Sequence, residues 1–279
     1  SGGTITDMTG GDVLLMSSGV STIVGGGIVT VMTGGLMGNL NFGRTLALFN
    51  GGTINNFNNG ELTVWDLGTN NNLNTGTIFL VQDNNLIINM KGGVVNSIIG
   101  GEIRNVDAGT IDLMTGGLIT NFNTNGIMTL WNGGKITNWN GATLNGWDGI
   151  DTGWQSGTIT TLNTGTIKLV QTGNTITNMK GGLVESMRDG NIGTITGGTV
   201  TSMTGGLIGL INGGGVTNAT GGIINELRTG SIGTLDTNLA LMTGGNVSLV
   251  KASGIIDEQR GGIVAILDGV LTKLTNGTV

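Results

Sequence analysis

Apolar residues recur along this chain at the third and sixth places of an eight-residue unit that opens with glycine. Gly3-Thr4-Ile5-Thr6-Asp7-Met8-Thr9-Gly10 sets the unit, and Gly198-Thr199-Val200-Thr201-Ser202-Met203-Thr204-Gly205 repeats it. The third place reads Ile5, Val13, Val29, Ile54, Leu62, Ile78, Ile103, Ile111 and Ile119, and continues to Val264. The sixth reads Met8, Met16, Met32, Leu40, Phe57, Trp65, Leu73, Val81, Val106, Met114 and Phe122. The places between are mostly Thr, Asn, Ser and Asp. Of the 34 intervals between marker residues from Gly3 to Gly277, 26 are eight residues long, five are nine and three are seven. The octad therefore governs the whole chain, and each odd interval has to be absorbed locally. Ser21, Asn70 and Asp151 break the apolar pattern at the third place and Gln259 at the sixth.

A fixed short period is the signature of a solenoid or fibre. A helix does not suit it. The chain has 57 glycines in 279 residues, and each would cost a helix interior about 1 kcal/mol relative to Ala. The Thr, Ile, Val and Asn around them favour strands and turns. The octad predicts one short strand of about four or five residues and one tight corner, with Gly, or Asn84 in its stead, where φ is positive. The expected fold is all-β: an elongated β-helix or β-solenoid with like residues stacked about 4.8 Å apart.

Two assemblies fit the octad. In a single-chain triangular solenoid three octads form a coil, giving about 12 coils and a length of roughly 56 Å. In an intertwined homotrimer each octad supplies one side of a shared cross-section, and the rod reaches roughly 168 Å. The small number of apolar places per octad and the absence of any side-chain class recurring every third octad favour the trimer. No shift in composition divides residues 1–279, so one repetitive shaft domain is expected. Ser1 is not an initiator and Val279 falls inside an octad, which predicts a segment of a longer protein.

Longer duplications overlie the octad. Phe49-Asn50-Gly51-Gly52-Thr53-Ile54-Asn55 parallels Trp131-Asn132-Gly133-Gly134-Lys135-Ile136-Thr137 at an offset of 82 residues, and Thr75–Gln82 parallels Thr164–Gln171 at an offset of 89. Growth by copying blocks suits a rod of adjustable length. Phe49, Phe57 and Trp65 occupy the sixth place of consecutive octads, as do Trp131, Trp139 and Trp147, with Trp154 beyond. They could form a sugar-stacking ladder outside or an aromatic stack inside. The inside is expected, because that place is Met, Leu, Ile or Val elsewhere.

The chemistry is sparse. The chain has no His, Cys or Tyr, which removes imidazole bases, thiolate sites, the common triads and zinc centres. Carboxylates remain: Glu102 with Asp107, Asp148 with Asp151, and Asp257 beside Glu258. A carboxylate pair is the equipment of a glycosidase. Basic neighbours, Arg104 near Glu102 and Arg188 near Glu185, point instead to a solvated ionic face. No phosphate loop occurs, and the calcium-binding nonapeptide pattern is missing its Asp. Asn218-Ala219-Thr220 and Asn246-Val247-Ser248 match the short glycosylation pattern. No catalytic, cofactor-binding or metal-ligating residue is assigned, and no cofactor is expected. Charged residues are 10% of the chain and the formal net charge is −6, so a basic stripe for nucleic acid is missing. No apolar run approaches the ~20 residues of a membrane span.

The Gly-x-Ile-x-x-Met-x-Gly octads, rich in Thr and Asn and almost free of charge, resemble the shafts of bacteriophage tail fibres and tailspikes. Those shafts are trimeric β-helices or β-prisms that hold a receptor-binding tip away from the virion. The resemblance implies a structural role without enzymatic activity: a stiff homotrimeric spacer on the virion tail, engaging a cell-surface glycan or receptor through flanking regions during host attachment. A bacterial extracellular β-solenoid adhesin or self-assembling surface filament is the alternative, and a polysaccharide-degrading tailspike a further one.

Overall fold

The structure, a computed structural model, describes residues 3–8, 12–24, 28–40, 44–144 and 154–279. The described residues form β-strands and turns without a helix, and the strand pairings among them are parallel. The chain divides into two compact units. One comprises Ser1–Thr137 with Ala142–Trp147, the other Asn138–Gly141 with Asp148–Val279. Each is a parallel β-solenoid.

Within each unit an octad pairs with the octad two places on. Thr4–Met8 lies against Val20–Val24, with Ile5 opposite Ser21, and Ser21 in turn lies opposite Met37 on Leu36–Leu40. Asp12–Met16 pairs with Ile28–Met32 in the same way. The second unit repeats this: Ile176 on Asn174–Met179 faces Ile192 on Asn191–Ile195, and Val184 on Leu183–Met187 faces Val200. One coil is thus two octads, 16 residues, or 15 or 17 where a seven- or nine-residue interval intervenes. The triangular coil of three octads expected as one alternative is not what forms. Each rung is closed by one chain, with its partner strands above and below drawn from that same chain.

The two-octad coil follows from a bend at the fourth place. In a regular strand successive side chains alternate faces, so places three apart would point in opposite directions. Here the ladder runs through places two and three, skips place four, and resumes at five and six. Val94, Val95, Ser97 and Ile98 pair with Thr110, Ile111, Leu113 and Met114, while Asn96 and Asp112 stand unpaired between them. The bend turns both the third and the sixth side chains inward. Two bends and two glycine corners then close a coil around four inward side chains.

Those side chains form the core. Ile54, Phe57, Leu62, Ile78, Val106 and Ile111 are fully buried in the first unit, and Ile176, Met203, Ile232 and Val250 in the second. Each contributes about 1.5–3 kcal/mol by leaving water. Ile5, on the first described strand, is 37% exposed because only the coil that follows covers it. Odd intervals are absorbed at corners. The register shifts by one residue between Val106 and Ala108, opposite the nine-residue interval from Gly117 to Gly126, whereas the irregular pairing at Asn50 leaves the 16-residue offset the same on either side.

The corner glycines are required twice over. Gly198 has φ +81°, and a Cβ there would lie 2.5 Å from the carbonyl oxygen of Gly182, the marker glycine one coil earlier. Asn84, which stands in the glycine series, takes φ +70° as the one described non-glycine residue with positive φ. Asn tolerates that conformation better than other side chains. Gly198→Ala should therefore lower stability by more than the about 1–2 kcal/mol of left-handed strain alone, whereas Asn84→Gly should be near neutral. Thermal unfolding followed by far-ultraviolet circular dichroism separates the two.

Asn70 is an exception inside the core. It sits between Ile54 and Ile87 in the ladder, fully buried, and neither its amide nitrogen nor its oxygen has a hydrogen-bond partner. An unsatisfied buried polar group costs about 1–3 kcal/mol. Asn70→Ile should raise the unfolding free energy of the first unit by about that amount, read as a higher denaturant midpoint with an unchanged slope.

Candidate functional site

The sequence-predicted acids do not converge. Glu102 and Asp107 lie on the strand Glu102–Met114, on either side of its bend. Glu102 pairs with Arg104 at 3.4 Å, and the Asp107 carboxylate accepts a hydrogen bond from Asn123 Nδ2 at 2.7 Å. Glu258 binds two cations, Arg260 at 2.8 Å and Lys273 at 2.7 Å, while Asp257 beside it is exposed. Glu185 and Arg188 are both exposed. Asp148, Asp151 and Trp147 lie outside the described residues. Among the described residues no group of three or more His, Cys, Asp or Glu could hold a metal ion, and no helix is long and apolar enough to cross a membrane.

The ionic face concentrates in the second unit. Glu226 pairs with Arg228 at 2.7 Å two residues on, the same arrangement as Glu258 with Arg260. Glu226 holds Arg228 in its charged form. The Arg260 hydrogen bond, then that of Lys273, lowers the Glu258 carboxyl to about 2. A depressed carboxyl adds stability that is complete above its unfolded value, about 4.3, and that disappears as pH falls through the folded value. Wild type should therefore melt above Glu258→Gln at pH 5 and together with it near pH 2. A constant gap across that range would contradict the pairing. The pairs are solvent-exposed, so the gap should be small.

The aromatic side chains lie inside. Trp65, Trp131, Trp139, Trp154, Phe49 and Phe57 are all buried. Phe49 and Trp65 stack with ring centroids 5.7 Å apart and planes at 22°. Because successive octads lie on opposite sides of the coil, Phe57 faces Phe49 from the other side and does not extend that stack. The Trp65 indole donates to the Leu67 carbonyl at 3.1 Å and that of Trp131 to the Gly133 carbonyl at 2.6 Å, which satisfies a buried donor at the corner. The duplication at an offset of 89 residues reproduces a staple. Gln82 Nε2 donates to the Trp65 carbonyl at 3.0 Å and Gln171 Nε2 to the Trp154 carbonyl at 3.1 Å. Asn85 and Asn174 each accept the backbone N–H of that glutamine through the side-chain oxygen at 2.8 Å.

The surface organisation that the octad alone conceals lies at the fifth place. Separating alternate octads makes it visible. On one side of the first unit the fifth place reads Asn39, Asn56, Asn72, Asn89, Asn105 and Asn121, in register. Each amide donates to the oxygen of the one before, at distances between 2.8 and 3.3 Å. Asn71 donates to Asn55 at 2.8 Å in a second row. On the opposite side the same place reads Leu15, Val31, Leu48, Val64, Leu80, Ser97, Leu113 and Leu130. The places between the apolar ones are mostly polar in sequence, yet the fifth place is polar on one side of this unit from Asn39 to Asn121 and largely apolar on the other. The signal that reveals it is a 16- to 17-residue period laid over the eight-residue one.

No family model matches the chain, and no curated protein or solved structure matches it either.

Proposed function

We propose that the chain is a structural spacer: a stiff, catalytically idle solenoid segment of an extracellular fibre. Its role would be that of a phage tail-fibre or tailspike shaft, in which copies associate, three in that setting, and carry a receptor-binding tip toward the host surface. The observation behind this reading is the stack of buried apolar residues at places three and six, from Ile54 to Ile119 in one unit, with Asn70 as its polar exception, and from Ile159 to Ile256 in the other. Such stacking resists bending and local opening, since each rung is held by parallel backbone hydrogen bonds on both sides. The carboxylates favour the same reading, because Glu102 and Glu258 are neutralised by cations and Asp107 is engaged by Asn123.

A second reading is a bacterial surface adhesin or self-assembling filament built from single-chain solenoids. The closure of each coil within one chain favours it. Negative-stain electron microscopy with light scattering distinguishes the two. Rods with about three times the 28.3 kDa chain mass fit the shaft. Single-chain rods fit the adhesin, and indefinite polymers fit the filament. Compact particles at any mass would defeat both readings.

A further inference from the structure

We infer that the apolar side of the first unit is an interface, and that its occupant is the same side of a second copy of this chain. The inference rests on the self-association within the spacer reading and names the surface through which it occurs. Along this side the fifth place carries Leu15, Val31, Val64, Leu80, Leu113 and Leu130 in register, with Ser97 as the polar exception between Leu80 and Leu113. Leu15 is 60% exposed, Val64 44%, and Phe79, at the neighbouring fourth place, 40%. The other side of the same coils carries hydrogen-bonded asparagines at that place. Both sides have the same backbone and corners, so the difference lies in what each side meets. Parallel sheets rarely leave an apolar outer face in water, and contiguous exposed apolar patches mark interaction sites.

Charge and repeat choose the occupant. The described side chains at places two, four and five of this side include the acids Glu61 and Asp112 and no Lys or Arg. A phosphate-rich polymer or an anionic lipid surface would find no cation to hold it, and two acids are too few to draw a basic partner. What the side offers is a row of Leu and Val side chains at about 4.8 Å intervals, interrupted at Ser97. Rows of like side chains at that spacing interdigitate best with rows of the same spacing, as in dry interfaces between stacked sheets. A second copy presents such a row. Eight rungs span about 34 Å, and with a width of about 15 Å the contact covers roughly 1,000 Å² counted over both copies, near the lower bound for a specific interface. The association is therefore reversible and depends on concentration.

The test compares the wild-type chain with Leu15→Lys/Val64→Lys/Leu113→Lys and with a control that places three lysines on the asparagine side at Thr53, Thr120 and Thr137. Light scattering from 1 to 200 µM should show the wild type and the control gaining mass with concentration, and the first variant staying at the single-chain mass with an unchanged strand spectrum. A wild type that stays single-chain at 200 µM, or a folded triple variant that associates as the wild type does, overturns the inference. Should the triple variant lose its strand spectrum, single cysteines decide, since the chain has none of its own. Val64→Cys should cross-link to a second copy through a short bismaleimide at least tenfold faster than Asn72→Cys, and equal rates overturn the inference. Rod shape in micrographs tests the spacer reading separately, so the two can fail independently.

Discussion

The fold depends on the bend at the fourth place of each octad. A straight strand would send places three and six to opposite faces, and half of the apolar side chains would meet water. Skipping one ladder position turns Val95 and Ile98, or Val184 and Met187, to the same side. Two octads then enclose four inward side chains, which is enough to fill a narrow coil. Each bend leaves the fourth residue outside the backbone ladder, and each is offset by the hydrogen bonds of the rungs above and below.

The corners impose the complementary constraint. Marker glycines stack on one another so closely that the carbonyl of one lies where the Cβ of the next would be, as for Gly182 beneath Gly198 and Gly19 beneath Gly35. The glycine content is therefore a packing requirement as well as a conformational one. It also explains why nine-residue intervals are tolerated. An extra residue can be taken up at a corner, as between Phe122 and Asn125 opposite Val106 and Ala108, without displacing the inward pairs on either side. The block duplication carries its local chemistry along, since Gln171 and Asn174 make the same contacts in the second unit that Gln82 and Asn85 make in the first.

Buried polar residues mark where the repeat departs from its own rule. Gln259 occupies an apolar place and donates to the carbonyls of Gly262 and Thr278, so its burial is partly compensated. Asn70 has no such compensation. In a chain of near-identical octads a polar residue at a core place distinguishes one register from its neighbours, a role that buried polar groups fill in some coiled coils. The asparagine ladder adds to that discrimination, because a slip of one octad would set Asn72 against the apolar row.

The sequence by itself determined the local unit. Glycine spacing, the apolar places and the turn chemistry of Gly and Asn specify a short strand, a corner and an inward pair, because these depend on sterics within a few residues. The interior position of Phe49, Trp65 and Trp131 was legible for the same reason, as they share a place with Met and Leu. The number of octads per coil was not legible, because it depends on a bend whose angle no single octad reveals. The identity of the exposed faces depended on that number. Asn56 and Val64 occupy the same place of successive octads, and only the two-octad coil sends them to opposite sides, one into an amide ladder and the other into an apolar row.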